Sequence, residues 1–510
     1  MEDYNSKQQA LLAYEDDEEE DQFPDLVSVP SRYSFQRLSN FNSFFSSFVA
    51  DDEDIAPIES LNGFLSAFKE ESGKLWFLAG PAIFTSLCQY SLGAFTQTFA
   101  GHVGTLELAA FSIENSVIAG LSLGVMLGMG SAVETLCGQA FGAGQHDMLG
   151  VYLQRSWIIL LATGFLLMFL YIFASPFLLV IGQAQNISRV AGKLALWMIP
   201  QLFARGKFSD GQILAGSEQD HGHGLDFRSR IGVAYTFQLA ADAEARVGDG
   251  RWGSRAGRVL AIRNLWGFVR LSLASALMMC LETWYFMALV LFAGYLKDAE
   301  VAVAALSVCT NILGWTNMIA VGFNAAISVR VSNELGASHP RTAKFSVVVM
   351  VISAFLIGLI VSILLLIFQD QYPSLFSDSL AVKQVVYELT PLLAFSIVVN
   401  SIQPALSGVA IGAGWQALIA YVNIACYYVF GVPLGLLLGY TFNMGVKGIW
   451  YGMVTGTVVQ TLILFWIVYR TDWNKEASIA AKRIKQWRGE TDAAKPKDVE
   501  KVTYQTEENH

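Results

Sequence analysis

A carboxyl group far inside an apolar run is the strongest chemical signal in this chain. Glu282 stands about twelve residues into the run 271–296, and no basic residue shares that run to neutralise it. A charge at the centre of a bilayer is expensive, so such a group is kept where it faces a cavity or binds an ion. That makes Glu282 the leading candidate for taking up and releasing a proton; the competing role is a neutral acid that only ties helices together. Glu134 closes the run 108–133 near its cytosolic end, where a hydrogen bond from a helix end to a loop explains it equally well. Trp284 and Tyr285 follow Glu282, and Trp76, Tyr90, Phe95 and Trp315 lie in other runs. A few of these rings are placed to stack a planar solute, while lipid contact or packing accounts for most. His221 and His223 are two residues apart with no third ligand, and that is no metal site. The five cysteines form no CxxC pair and read as small apolar residues. Without an HExxH, a Ser/His/Asp set or a nucleotide loop, the chain is not expected to be an enzyme and needs no cofactor.

The elements that must hold these groups follow from composition. Of 510 residues 54% are hydrophobic and 15% charged, where a soluble protein carries about 25% charged residues. The apolar residues gather into runs at 75–100, 108–133, 157–182, 191–204, 271–296, 301–328, 345–368, 390–414, 416–439 and 444–469. Most are long enough to cross the roughly 30 Å hydrocarbon layer as helices, so an all-α polytopic membrane protein is expected, with the bilayer as its solvent. The net charge of −10 reflects the acidic start, where Glu15 to Asp21 is seven consecutive carboxylates, and nucleic acid is not an expected partner. Residues 1–74 should form a disordered, acidic cytosolic tail without a signal peptide. The basic cluster Arg470, Lys475, Lys482, Arg483, Lys485 and Arg488 places the second tail, 471–510, in the cytosol. The sequon at Asn186 then falls on the far side, a chance match by its length.

The chain repeats itself. Phe99-Ala100-Gly101 and Ala109-Ala110-Phe111-Ser112 return as Phe292-Ala293-Gly294 and Ala304-Ala305-Leu306-Ser307, and Gly142-Ala143 returns as Gly336-Ala337. The offsets are 193 to 195 residues. Three matches in order point to two homologous halves related by an axis along the membrane normal. The second half, 264–470, holds six runs, so the first should too; it shows four, in 75–204.

The missing two should lie in 205–263, but this interval carries nine Lys/Arg, seven Asp/Glu, two His and ten Gly in 59 positions. Such a composition cannot line lipid-exposed helices. A wrong reading frame is the simplest account. Moving one nucleotide on can turn His221-Gly222-His223-Gly224-Leu225 into Met-Val-Met-Ala-Trp, and Gln238 to Val247 into Ser-Trp-Leu-Leu-Met-Leu-Lys-Leu-Gly-Trp. The rival account is a genuine soluble insertion. Either way the segment should be aberrant, not two spanning helices.

Four motifs carry a resemblance. Ser131-Ala-Val-Glu134-Thr-Leu-Cys-Gly-Gln139-Ala-Phe-Gly-Ala143, Val329-Arg-Val-Ser-Asn333-Glu-Leu-Gly-Ala337, Cys280-Leu-Glu282-Thr-Trp284-Tyr285 and Leu406-Ser-Gly-Val-Ala-Ile-Gly-Ala-Gly-Trp415-Gln are similar to the plant branch of the multidrug and toxic compound extrusion (MATE) transporters, over 75–204 and 264–475. The resemblance implies two six-helix lobes around a V-shaped cavity, here with helices five and six of the first lobe damaged. It implies antiport of an organic solute against protons by a monomer, with a passive anion channel of the vacuolar membrane as the alternative. The shifted text resembles the family's fifth helix. On helix ten many members carry an aspartate where this chain has Asn400, ahead of Gln403-Pro404. Asparagine cannot take a proton, so Glu282 would titrate alone in the C-lobe, with Asn400 and Gln403 offering hydrogen bonds. This version resembles members associated with moving flavonoids into the vacuole, which favours the vacuolar over the plasma membrane.

Overall fold

The structure, a computed structural model, describes residues 54–217, 265–293, 299–376 and 379–488. They form α1 (Leu61–Val103), α2 (Thr105–Ile113), a π turn (Glu114–Ala119), α3 (Gly120–Gly142), α4 (His146–Ile172), α5 (Ala174–Val180) and α6 (Gln185–Ser217). The second half supplies α7 (Leu265–Ala293), α8 (Ala299–Gly336), α9 (Pro340–Ile367), α10 (Leu380–Ala413), α11 (Gln416–Asn423), α12 (Val432–Leu436), α13 (Gly445–Arg470) and α14 (Trp473–Arg488). Two π turns, Ile424–Gly431 and Leu437–Thr441, flank α12 and join it to α11. Helices are what a lipid environment demands, because they satisfy every backbone polar group within the segment. Eight helical stretches among the described residues are long and apolar enough to span a membrane. The runs 75–100 and 191–204 lie in two further helices, α1 and α6.

Three expected boundaries move. The 74-residue tail is too long, because α1 begins at Leu61 with Ser60 as its cap, accepting from Gly63 N at 3.0 Å. Lys69, Glu70, Glu71 and Lys74 had masked that first stretch in the hydropathy. The C-terminal tail likewise contains α14, which buries Trp473, Ala477, Ala480 and Ile484 against the C-lobe. The aberrant interval loses its first residues: α6 continues the fourth run to Ser217. The rest of that interval, His221 and His223 included, lies outside the described residues. Pro81 and Pro200 sit inside helices assigned without a break.

The repeat is visible as packing. α1 lies along α8 as α7 lies along α3. A Cβ on Gly128 of α3 would meet Ala276 of α7, and one on Gly322 of α8 would meet Ile83 of α1, the same contact one repeat later to within a residue. Where α3 and α8 cross, Gly138 touches Ser332, its own counterpart 194 residues on. Beside it Gly142 abuts Asn333 and Gly336 abuts Gln139, a reciprocal pair. A Cβ at Gly142 would overlap the carbonyl oxygen of Asn333, so a glycine is required there. The halves are thus related by a pseudo-two-fold axis that runs between α3 and α8.

The chain before α1 is fastened to the C-lobe. Asp54 accepts hydrogen bonds from the backbone N–H groups of Thr342 (2.9 Å) and Arg341 (3.1 Å) and from Thr342 Oγ1 (2.9 Å), capping α9 across 288 residues of sequence. Pro340 opens that helix, so the first free donors belong to these two residues. Partial burial works against the Asp54 charge, but the N–H groups of Thr342 and Arg341 outweigh it and hold the carboxyl below its usual value. A depressed folded value means the contribution is present above 3.8 and is lost as pH falls through the folded value. Asp54→Asn should therefore cost about 1 kcal/mol at neutral pH, typical of a lost cap. Hydrogen exchange at Arg341 and Thr342 checks this: the two proteins should differ at pH 7 and converge in acid.

Candidate functional site

α7 and α10 bring the expected C-lobe residues together. Gln403 of α10 stands near the Glu282 side chain, and its own Nε2 donates to Ser407 Oγ at 3.1 Å. Asn400, one turn before Gln403, lines a small hollow together with Phe286, one turn after Glu282. Thr310, Ser396, Trp450 and Thr457 complete the polar and aromatic wall. Pro404 has no N–H, so it leaves the Asn400 carbonyl without its helical partner at the cavity's edge. Its own carbonyl accepts from Asn324 Nδ2 of α8 at 2.7 Å, which ties this part of α10 to α8. Glu282 is itself only partly covered, unlike the fully enclosed Gln403. No Lys or Arg pairs with it among the described residues.

Behind Glu282 lies a buried polar chain absent from the sequence reading. Tyr427 donates to Gln460 Oε1 (2.5 Å), Gln460 Nε2 to Asn423 Oδ1 (2.7 Å), and Asn423 Nδ2 to Met278 O (3.2 Å), one turn before Glu282. Tyr428 donates to Leu281 O at 2.9 Å. Both tyrosines sit in the π turn Ile424–Gly431, a distortion often found at functional sites. Tyr285 is fully buried, stacked on Tyr427 at 4.1 Å between centroids, and its hydroxyl donates to Met453 O at 2.8 Å. It packs helices behind the acid. Trp284 points elsewhere and is 42% exposed.

Glu134 is not part of this cluster. α3 meets α7 at Gly124, beside Cys280, and ten residues further along a helix is about 15 Å. There Glu134 faces Ser328, its own repeat counterpart, near the axis. The sequence reading passed over Glu114, which is fully buried at the start of the first π turn. A carboxyl six residues inside the run 108–133 was the available signal. Among the described residues no group of His, Cys, Asp and Glu is arranged to hold a metal.

A family profile described as MatE matches residues 81–209 and 274–437, more than half of the chain and both halves of the repeat. The chain belongs to the MATE family. The gap between the two MATE matches falls on the polar interval, where the sequence departs from a membrane helix. Among curated MATE relatives, Protein DETOXIFICATION 29 of Arabidopsis thaliana is 57% identical over 475 residues, covering 87% of this chain and 94% of that protein. Protein DETOXIFICATION 31 of the same plant is 54% identical over 519 residues, covering 96% and 98%. The crystal structure of the eukaryotic MATE transporter AtDTX14 superposes with a TM-score of 0.71 at 31% identity, over 82% of this chain and 99% of that one. The Vibrio cholerae MATE transporter VcmN in its bent form shares the fold alone, with a TM-score of 0.64 at 16% identity over 83% and 99%. This MATE chain is an integral membrane transporter of the multidrug-efflux kind.

Proposed function

We propose that this transporter is a proton-coupled antiporter of planar organic metabolites, flavonoids among them, acting as a monomer at the vacuolar membrane. The observation that carries it is Glu282, with an amide and no cation near it, one helical turn from Phe286, which lines a hollow with Asn400 and Trp450. A carboxyl so placed is able to exchange a proton when the cavity changes its wetting, and the aromatic wall suits a flat solute. Gln403 and Asn400 offer amide groups to the acid or to solute hydroxyls, in either protonation state of Glu282.

The test is uptake of a labelled flavonoid into proteoliposomes holding the frame-restored chain, with an imposed pH gradient. Uptake that follows the gradient and acidification-coupled counterflow support the reading. Flux of chloride or solute that ignores the gradient would select passive conduction instead. A narrower test uses the residue where this chain differs from many members. Asn400→Asp adds a second acid one helical turn from Gln403, so the pH profile of uptake should shift or broaden. A profile identical to the parent's would mean that position 400 does not share the proton site.

A further inference from the structure

We propose that Arg330, with Glu71 and Glu334, is a one-sided ionic lock holding the cytosolic ends of the two lobes together, and that it must open for the cavity to face the cytosol. Glu71 belongs to α1 of the first half and Arg330 to α8 of the second. Their side chains meet fork to fork, Nε to Oε1 at 2.8 Å and Nη2 to Oε2 at 3.0 Å. Arg330 Nη1 also pairs with Glu334, one turn further along α8. Ser346 Oγ of α9 donates to Glu71 Oε1 at 2.5 Å, and His339 Nδ1 stands 3.1 Å from Glu334 Oε2. The side chains of Arg330, Glu71 and Glu334 are 4%, 6% and 1% exposed.

The repeat shows that the fold does not require charge at this place. One repeat away the equivalents of Glu71, Arg330 and Glu334 are Leu265, Leu136 and Ala140, all within or against the apolar core of the first lobe. The same junction is filled with hydrocarbon on one side of the axis and with an ion-pair network on the other. A buried pair stabilises no better than packed apolar residues, so its retention is better explained by switching. The two junctions also respond differently to separation. Charged groups regain hydration when water enters, whereas the leucine junction loses its contacts outright.

Besides the Asp54 cap on α9, the other ties named at this end are hydrogen bonds to backbone or amide oxygens. Thr135 donates to Ile411 O at 2.6 Å and Gln139 to Gly412 O at 3.0 Å, while Arg483 of α14 reaches Gln139 Oε1 at 2.9 Å. The bidentate pair is the one charged bond among them that joins α1 to α8. The inference needs family membership only; it does not depend on Glu282 or on the solute.

Ser332, fully buried against Gly138 where the lobes cross, is the site for a reporter. In a Ser332→Cys background, membrane vesicles are treated on the cytosolic face with a membrane-impermeant maleimide, and labelling is resolved by residue with mass spectrometry. The native Cys137, buried within the first lobe, serves as the unfolding control. Glu71→Gln, which keeps the shape and leaves Arg330 short of one counter-charge, should raise labelling at position 332 roughly tenfold while Cys137 stays protected. Glu71→Leu with Arg330→Leu and Glu334→Ala recreates the opposite junction, which loses its contacts on opening, and should hold labelling at or below the parent's level. Unchanged labelling at position 332 in Glu71→Gln overturns the lock, as does labelling that rises equally at Cys137. The assay reads opening directly, so a chain that does not transport still gives an answer.

Discussion

Glu282→Gln in the frame-restored protein abolishes uptake driven by a pH gradient while leaving the protein in the membrane at parental level. Glutamine preserves the shape of the side chain but cannot carry a proton. One pH unit supplies about 1.4 kcal/mol per proton moved, and with the carrier of that proton removed the gradient no longer does work on the solute. The loss should therefore appear in concentrative uptake, with downhill solute exchange less affected. Vesicles that still concentrate solute along an imposed gradient with Gln at position 282 would remove the acid from the mechanism.

The second large effect is expected at residues 205–263. The chain as written should transport at background level, and the chain with its reading frame restored should exceed it at least roughly tenfold. Burying the charges of that interval in lipid would cost a few kcal/mol each, so the interval is not expected to supply two spanning helices to the first lobe. The family match stops at residue 209 and resumes at 274, and the described part of α6 ends at Ser217. Sequencing the transcript across codons 200–265 and assaying both versions side by side decides the matter. Equal transport by the two, or two lipid-covered helices within this interval in an experimental structure, would establish a genuine insertion.

Much of the fold was legible because the membrane simplifies the code. The long apolar runs became helical, some of them broken by π turns or a second short helix, and the Gly142 and Gly336 repeats proved to lie against each other's neighbours, giving the internal duplication a physical meaning. The polar beginnings and ends were less legible. α1 starts fourteen residues before its apolar run, and α14 is amphipathic, so hydropathy marks neither. Pairing across hundreds of residues left no local trace: nothing near Glu71 announces Arg330, and nothing near Asp54 announces Thr342.

The candidate site divides the same way. Glu282, Asn400 and Gln403 were found because polar groups are conspicuous among Leu and Val; of the three, Asn400 lines the hollow beside Phe286 and Trp450. Trp284 and Tyr285 were chosen by adjacency in sequence, but neighbours on a helix face different directions. One is exposed and the other is sealed against Tyr427. The chain from Tyr427 through Gln460 to Asn423 was missed because it is assembled from two segments whose polar residues are individually ordinary.

The contact between Glu134 and Ser328 has a consequence for how a duplicated protein diverges. A residue on the axis meets its own copy, so immediately after duplication an acid there would confront an identical acid in a site from which water is excluded. Two carboxylates at such separation repel unless they share a proton. An acid from one half facing a hydroxyl from the other needs no such shared proton, so the axis favours divergence of the two copies at this position.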